Sequence, residues 1–206
     1  TAEGPKIIDL IHKKEKKVFL DLKFHDIPHT VAETARVATA LGVFMFNVHS
    51  AGGFEMMRAA TTAAKKEAER LKIKKPLILG VTLLTSFNQQ MLTETGVTKK
   101  IEEYVLQLAQ QAKEAALDGI VASPQELKFL REKLGKDFIM VSPGIRLQVT
   151  RYPLSATRFR EDDQKRISTP AEAIKDGADY IVVGRPIINT KSPIEAAKKI
   201  IKEMKE

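Results

Sequence analysis

Three charged side chains lie close together in the stretch Val18-Phe19-Leu20-Asp21-Leu22-Lys23-Phe24-His25-Asp26-Ile27-Pro28-His29-Thr30-Val31: Asp21, Lys23 and Asp26. The apolar run Val18 to Leu20 leads into them as a strand would, and residues two apart on a strand point to one face. That spacing sets Asp21 and Lys23 side by side. Asp26 falls beyond the strand, ahead of Ile27-Pro28, where proline suits the first turn of a helix. Charges at the end of a buried strand must be paired, because an isolated buried charge is strongly disfavoured. Groups arranged in this way are often tuned for proton transfer, and the same pattern also occurs as a structural ion pair closing a strand. This stretch alone leaves both readings open.

A second group of candidates stands near the other end of the chain. Gly184-Arg185 follows an apolar strand-like run. A glycine there permits close backbone approach, a helix start beyond it offers N–H donors to a phosphate, and Arg185 adds charge-assisted contacts. A loop glycine beside a surface arginine is the alternative. Arg146, in Pro143-Gly144-Ile145-Arg146, is a candidate second cation for the same anion. Gly52-Gly53 fits either an anion nest or a tight turn into a helix. His49 suits a structural, hydrogen-bonded role or a catalytic one, with geometry to decide. His12, His25 and His29 form no cluster at ligand spacing, so no metal site is expected. Dinucleotide, Walker and nucleophile-elbow motifs are absent. Met56, Met57, Phe44 and Phe46 read as core.

The elements that must hold these residues alternate. Helical pattern is expected after Gly4-Pro5, then a strand at 18–23, a helix from Pro28 to Leu41 with Val31, Ala32, Ala35, Val37 and Ala38 as its apolar stripe, and a strand at 43–49. A helix from Phe54 to about Leu71 follows, then a strand at 77–82, a loop through Leu84, Thr85 and Ser86, and a helix at about 99–117. Strands at 118–123, 138–142 and 179–184 complete the set, with Thr169-Pro170 as N-cap and first turn of one helix and Pro193 to Lys205 as the last. Six strands alternating with helices predict an α/β fold with a parallel sheet. Polar, glycine and proline signals recur after every strand, which favours a TIM (β/α)8-type barrel over an open sheet, since a barrel builds its site from many strand ends. Only six βα units are visible, so residues 1–206 are expected to form a single barrel domain that is N-terminally incomplete.

Composition bounds the partners. The 206 residues, 43% hydrophobic and 29% charged, suit one soluble globular domain. No apolar run reaches the roughly 20 residues that span a membrane, and the start, Thr1-Ala2-Glu3-Gly4-Pro5, is expected to carry no signal peptide. Absence of cysteine excludes disulfides, thiol catalysis and thiolate metal sites and fits a cytoplasmic protein. The net charge of +8 invites a nucleic-acid reading, but its lysines fall at expected helix ends or among glutamates, and no tryptophan is present for stacking. A solvated surface is the expectation, with neither nucleic acid nor membrane as partner.

Taken in order, Asp21-x-Lys23-x-x-Asp26-Ile27-Pro28-x-Thr30-Val31, Phe46-Asn47-Val48-His49-Ser50-Ala51-Gly52-Gly53 and Val81-Thr82-Leu83-Leu84-Thr85-Ser86 form a specific series. It continues in Asp118-Gly119-Ile120-Val121, Pro143-Gly144-Ile145-Arg146, Asp163-Gln164-Lys165-Arg166, Thr169-Pro170 and Ile181-Val182-Val183-Gly184-Arg185. The series resembles orotidine 5′-phosphate decarboxylase of the bacterial type over nearly the whole chain. The resemblance implies decarboxylation of orotidine 5′-monophosphate to UMP in de novo pyrimidine synthesis, without metal or organic cofactor. It implies Lys23 as proton donor to carbon six of the base, held by Asp21. Asp26 and Thr30 are implied to enter the site of a partner subunit in a homodimer. Thr85 is implied to contact the base, and Arg146, Gln164, Gly184 and Arg185 to bind the phosphate side.

Two departures from the family pattern carry expectations. The family's first two strands supply an aspartate and a lysine that have no counterpart here; were Thr1 the true start, activity would be weakened or absent. The segment 147–161 is longer and more basic than a phosphate-closing loop of the family, and is expected to act as a mobile lid. Two alternatives stand beside the decarboxylase: a magnesium-dependent sugar-phosphate decarboxylase of the same superfamily, such as one acting on 3-keto-L-gulonate 6-phosphate, and a non-catalytic phosphate-ligand-binding module.

Overall fold

The computed structural model describes residues 3–147 and 166–205. Gln164 and nearly all of the expected lid lie outside them. Along the chain the elements are α1 (Lys6–His12), β1 (Phe19–Phe24), α2 (Pro28–Ala40), β2 (Met45–His49), α3 (Phe54–Leu71), β3 (Leu77–Val81), α4 (Gln89–Glu94) and α5 (Ile101–Glu114). They continue as β4 (Gly119–Val121), α6 (Leu127–Leu134), β5 (Ile139–Ser142), α7 (Pro170–Lys175), β6 (Tyr180–Ile181), α8 (Arg185–Ile188) and α9 (Pro193–Glu203). Single 3₁₀ turns at Ser50–Gly52 and Pro124–Glu126 precede α3 and α6.

The described residues form two compact units, one from Thr1–Thr82 with Gln107–Ile120 and one from Leu83–Leu106 with Val121–Glu206. In the first, β1, β2 and β3 run parallel in that order, with Phe19 opposite Met45 and Met45 opposite Leu77, and β4 begins beside β3. In the second, the end of β4 is followed by β5 and β6, with Val141 opposite Tyr180. Each parallel pair is joined through a helix, as parallel strands require.

Helix α2 starts at the expected proline and packs on α3. It buries Val31, Ala35 and Ala38, whereas Val37, placed in the apolar stripe by its spacing, is 49% exposed. Small side chains at Ala60, Ala64 and Ala68, all buried, let the long helix α3 approach its neighbours closely. Its end is fixed by a left-handed Lys72 (φ 55°), with Ile73 N–H donating to the Ala68 carbonyl and Lys72 N–H to the Glu69 carbonyl. Gly80 on β3 is required for packing: a Cβ there would stand 2.5 Å from Ser50 Oγ and 3.0 Å from Leu117 Cδ1.

Two aspartates clamp strand starts in the same way. Asp118 donates its N–H to the Ile78 carbonyl and accepts the Ile78 N–H (2.8 Å) and Lys75 Nζ (2.6 Å) on its carboxylate. Asp179 donates to the Met140 carbonyl and accepts the Met140 N–H (2.7 Å) and Arg131 Nη2 (2.8 Å). Each anion thereby satisfies a backbone donor that begins the neighbouring strand.

Several expectations change. The 83–98 stretch, read as a loop, contains α4, whose N-cap Asn88 accepts the Met91 N–H at 2.9 Å. β6 is two residues long rather than six. β1 and β6, the first and last strands in the described order, are partly exposed.

Candidate active site

At the C-terminal end of β1 the backbone leaves regular strand geometry. Lys23 has φ 50°, and the pairing with β2 shifts register between Leu20 and Phe24. A left-handed conformation costs an L-residue roughly 1–2 kcal/mol, so something must hold it. Asn47, in the middle of β2 and 1% exposed, does so: its Oδ1 accepts the Lys23 N–H at 2.8 Å. Its Nδ2 donates to Asp21 Oδ1 at 2.7 Å, and the same oxygen accepts Lys23 Nζ at 2.6 Å. Asp21 and Lys23 therefore do meet, though through a bulge rather than the simple two-residue alternation. Their side chains are 42% and 37% exposed, so the pair stands at an open strand end instead of the buried one expected.

Asp26 is not part of this cluster in the described residues of one chain. Its carboxylate accepts the Ile27 N–H at 2.7 Å, and both Asp26 and Thr30 are exposed, as is Ile27 between them. His49 stacks on His25, ring centroids 5.2 Å apart, and its buried Nδ1 has no hydrogen-bond partner among the described residues. The contact observed for His49 is thus its stacking on His25. Burial holds the His49 imidazole below its usual pKa, helped by the neighbouring His25 and Lys23 charges. Gly52 leaves room for its neighbours: a Cβ there would fall 2.2 Å from Met56 Sδ and 3.2 Å from His25 Cδ2.

In the second unit Thr85 is buried, just after Leu83-Leu84. The Leu84 carbonyl accepts Arg166 Nη2 at 2.8 Å, while Arg166 Nη1 pairs with Glu126 in the interior. Arg146 N–H donates to the Ser168 carbonyl and Ser168 N–H to the Gly144 carbonyl, so the Gly144–Arg146 turn is bonded to residue 168. Gly184 caps α8, and nothing lies within 4 Å of a Cβ built on it. The turn beyond offers fewer donors than expected: Pro186 has no N–H, and those of Ile187 and Ile188 go to the Gly184 carbonyl. Arg185 is exposed at its start.

Sequence reasoning gave Asn47, Glu126 and Arg166 no role. A signal for Asn47 existed, because a polar residue inside the apolar run of β2 must find partners once buried. Glu126 and Arg166 are 40 positions apart, and no local pattern pairs them. Among the described residues no group of three or more His, Cys, Asp or Glu side chains could hold a metal, and no helix is long and apolar enough to cross a membrane.

Parallel strands alternating with helices, with a lysine–carboxylate pair at a strand's C-terminal end, define an α/β protein of the TIM-barrel type. The matching solved structures are of that kind: orotidine 5′-phosphate decarboxylase from Lactobacillus acidophilus superposes with a TM-score of 0.82 at 35% identity, over 98% of this chain and 82% of that one. The chain belongs to the orotidine 5′-phosphate decarboxylase / HUMPS family, whose model matches residues 1–200. Curated relatives include the orotidine 5′-phosphate decarboxylase of Geotalea daltonii, 48% identical over 99% of this chain and 81% of the relative. That of Syntrophomonas wolfei is 47% identical over 98% and 82%.

Proposed function

We infer that this chain is an orotidine-5′-phosphate decarboxylase, a carbon–carbon lyase that converts orotidine 5′-monophosphate to UMP in pyrimidine synthesis. Family membership supports the reaction, and the Lys23–Asp21 pair, held at 2.6 Å at a strand end, is the observation that carries it. When the bond from carbon six to the carboxylate breaks, its electron pair stays on carbon six as carbon dioxide leaves. No cofactor is needed if fixed charge stands where that charge develops. Lys23 stabilises the carbanion and gives it a proton; the resulting neutral amine is reprotonated from solvent. Asp21 orients the ammonium and places negative charge beside the departing carboxylate. By resemblance to the family, Thr85 contacts the base, and Arg146, Gln164, Gly184 and Arg185 bind the phosphate, whose binding energy serves the chemistry.

Asp26 and Thr30 act across a homodimer interface in this reading. Their exposure beside Ile27, which is 65% exposed, supports it. The working unit is a cytoplasmic dimer of single barrel domains. The sugar-phosphate alternative is disfavoured by the Asp26-Ile27-Pro28-x-Thr30 continuation and by the relatives' names.

Loss of orotidine monophosphate absorbance is the test. Turnover by the wild type, indifferent to chelator and abolished in Lys23→Ala, is expected. Turnover unaffected by Lys23→Ala overturns the mechanism, and chelator-sensitive turnover restores the metal-dependent alternative. Sedimentation of a monomer at assay concentration overturns the dimer.

A further inference from the structure

We propose that Asn47 is a positioning residue for this decarboxylation, holding both the backbone and the partner of Lys23. The inference rests on the reading of Lys23 as proton donor. Three observations carry it. Asn47 is 1% exposed in the middle of β2, where its neighbours Phe46 and Val48 are fully buried. A side-chain amide there has no water to satisfy it and is retained only with partners. Both of its ends are spent on the candidate site: Oδ1 on the Lys23 N–H (2.8 Å) and Nδ2 on Asp21 Oδ1 (2.7 Å). Lys23 is also the residue whose φ of 50° breaks the strand register.

The geometry makes Asn47 a bracket. Without the Oδ1 acceptor, Lys23 has no reason to leave the strand, and in regular alternation its Nζ would start from a different point. Without the Nδ2 donor, Asp21 is free to rotate about its own side chain while remaining bonded to the ammonium, so the pair could move as one. The two hydrogen bonds together fix the ammonium in space, and a displacement of about 1 Å can cost on the order of a hundredfold in rate. Asn47 touches neither the reacting carbon nor the leaving group in this assignment; it acts through Asp21 and Lys23.

The test uses two variants of the whole chain. Asn47→Leu keeps the number and branching of the side-chain heavy atoms and removes both bonds; Asn47→Asp keeps the acceptor for Lys23 N–H and replaces the donor to Asp21 by a second carboxylate. For Asn47→Leu, kcat falls by roughly 10- to 100-fold with KM changed much less and the cooperative melt retained. For Asn47→Asp, kcat is also low at neutral pH but recovers relative to wild type toward acid pH, because two adjacent carboxylates share a proton and the shared proton restores the missing donor. A purely structural asparagine lowers the melting temperature of both variants and produces no such acid recovery. Unchanged kcat in folded Asn47→Leu, or a flat kcat ratio against pH in Asn47→Asp, overturns the proposal. A readout without turnover separates it from the functional reading: the Lys23 ammonium ¹⁵N signal is ordered in wild type and motionally averaged in Asn47→Leu. An unchanged signal overturns the bracket even if the wild type is active; a wild type without turnover but with this change overturns the decarboxylase assignment alone.

Discussion

Arg166 and Glu126, 40 positions apart in the chain, form an ion pair whose side chains are 7% and 4% exposed. Arg166 also donates to the Leu84 carbonyl, next to Thr85. Breaking a buried pair by removing one member leaves an uncompensated charge and costs about 3–5 kcal/mol. Arg166→Met should therefore destabilise by about that amount in urea unfolding, and the double variant Arg166→Met, Glu126→Leu should recover much of the loss.

The same pair has a pH signature. Burial pushes the Glu126 carboxyl above its ordinary value of 4.5, against the opposing pull of Arg166. The folded chain thus holds that proton more tightly than the unfolded chain. Its contribution to stability is complete below 4.5 and is lost as pH rises through the raised folded value. Glu126→Gln lacks this step, so wild-type stability measured relative to Glu126→Gln should fall as pH rises through that window.

His49 runs the other way. Its folded pKa lies below the ordinary 6.5, through burial first and then His25 and Lys23. The contribution it makes is present above 6.5 and is lost as pH falls through the lowered folded value. Imidazole ¹⁵N shifts should show His49 mostly neutral at pH 6.5, where an ordinary histidine is half protonated. In His25→Ala the titration of His49 should move upward, because one repelling neighbour has gone.

At α7 the capping box is complete: Thr169 Oγ1 accepts the Glu172 N–H, and the Glu172 carboxylate accepts the Thr169 N–H. Thr169→Ala should cost about 0.5–2 kcal/mol by thermal or urea unfolding. The backbone N–H of Thr169 is the main cause that lowers the Glu172 pKa. That part of the stability is present above the ordinary glutamate value and is lost as pH falls through the lowered one.

Lys72 closes α3 in a left-handed conformation at φ 55°, exposed and bearing a side chain where glycine is favoured. Lys72→Gly should raise stability by several tenths of a kcal/mol to about 1 kcal/mol, the left-handed penalty exceeding the entropy that glycine adds to the unfolded chain. A lowered urea midpoint would contradict this.

Local chemistry determined much of the molecule directly from the sequence. Pro28 at the first turn of α2, Thr169-Pro170 at the start of α7 and the 18 residues of α3 were legible because caps, prolines and helical periodicity act within a few residues. The series of strand-end motifs pointed to the family for the same reason, since each is a short run of fixed spacing. Tertiary structure alone decided the bulge at Lys23, the two hydrogen bonds of Asn47, the clamps of Asp118 and Asp179, and the burial of Glu126 with Arg166. Those partners are 24 to 48 positions apart in the chain. Which donor meets which acceptor over such distances depends on strand order and register. The pair Asp21-x-Lys23 could be read from spacing; the reason it stands where it does is written in β2.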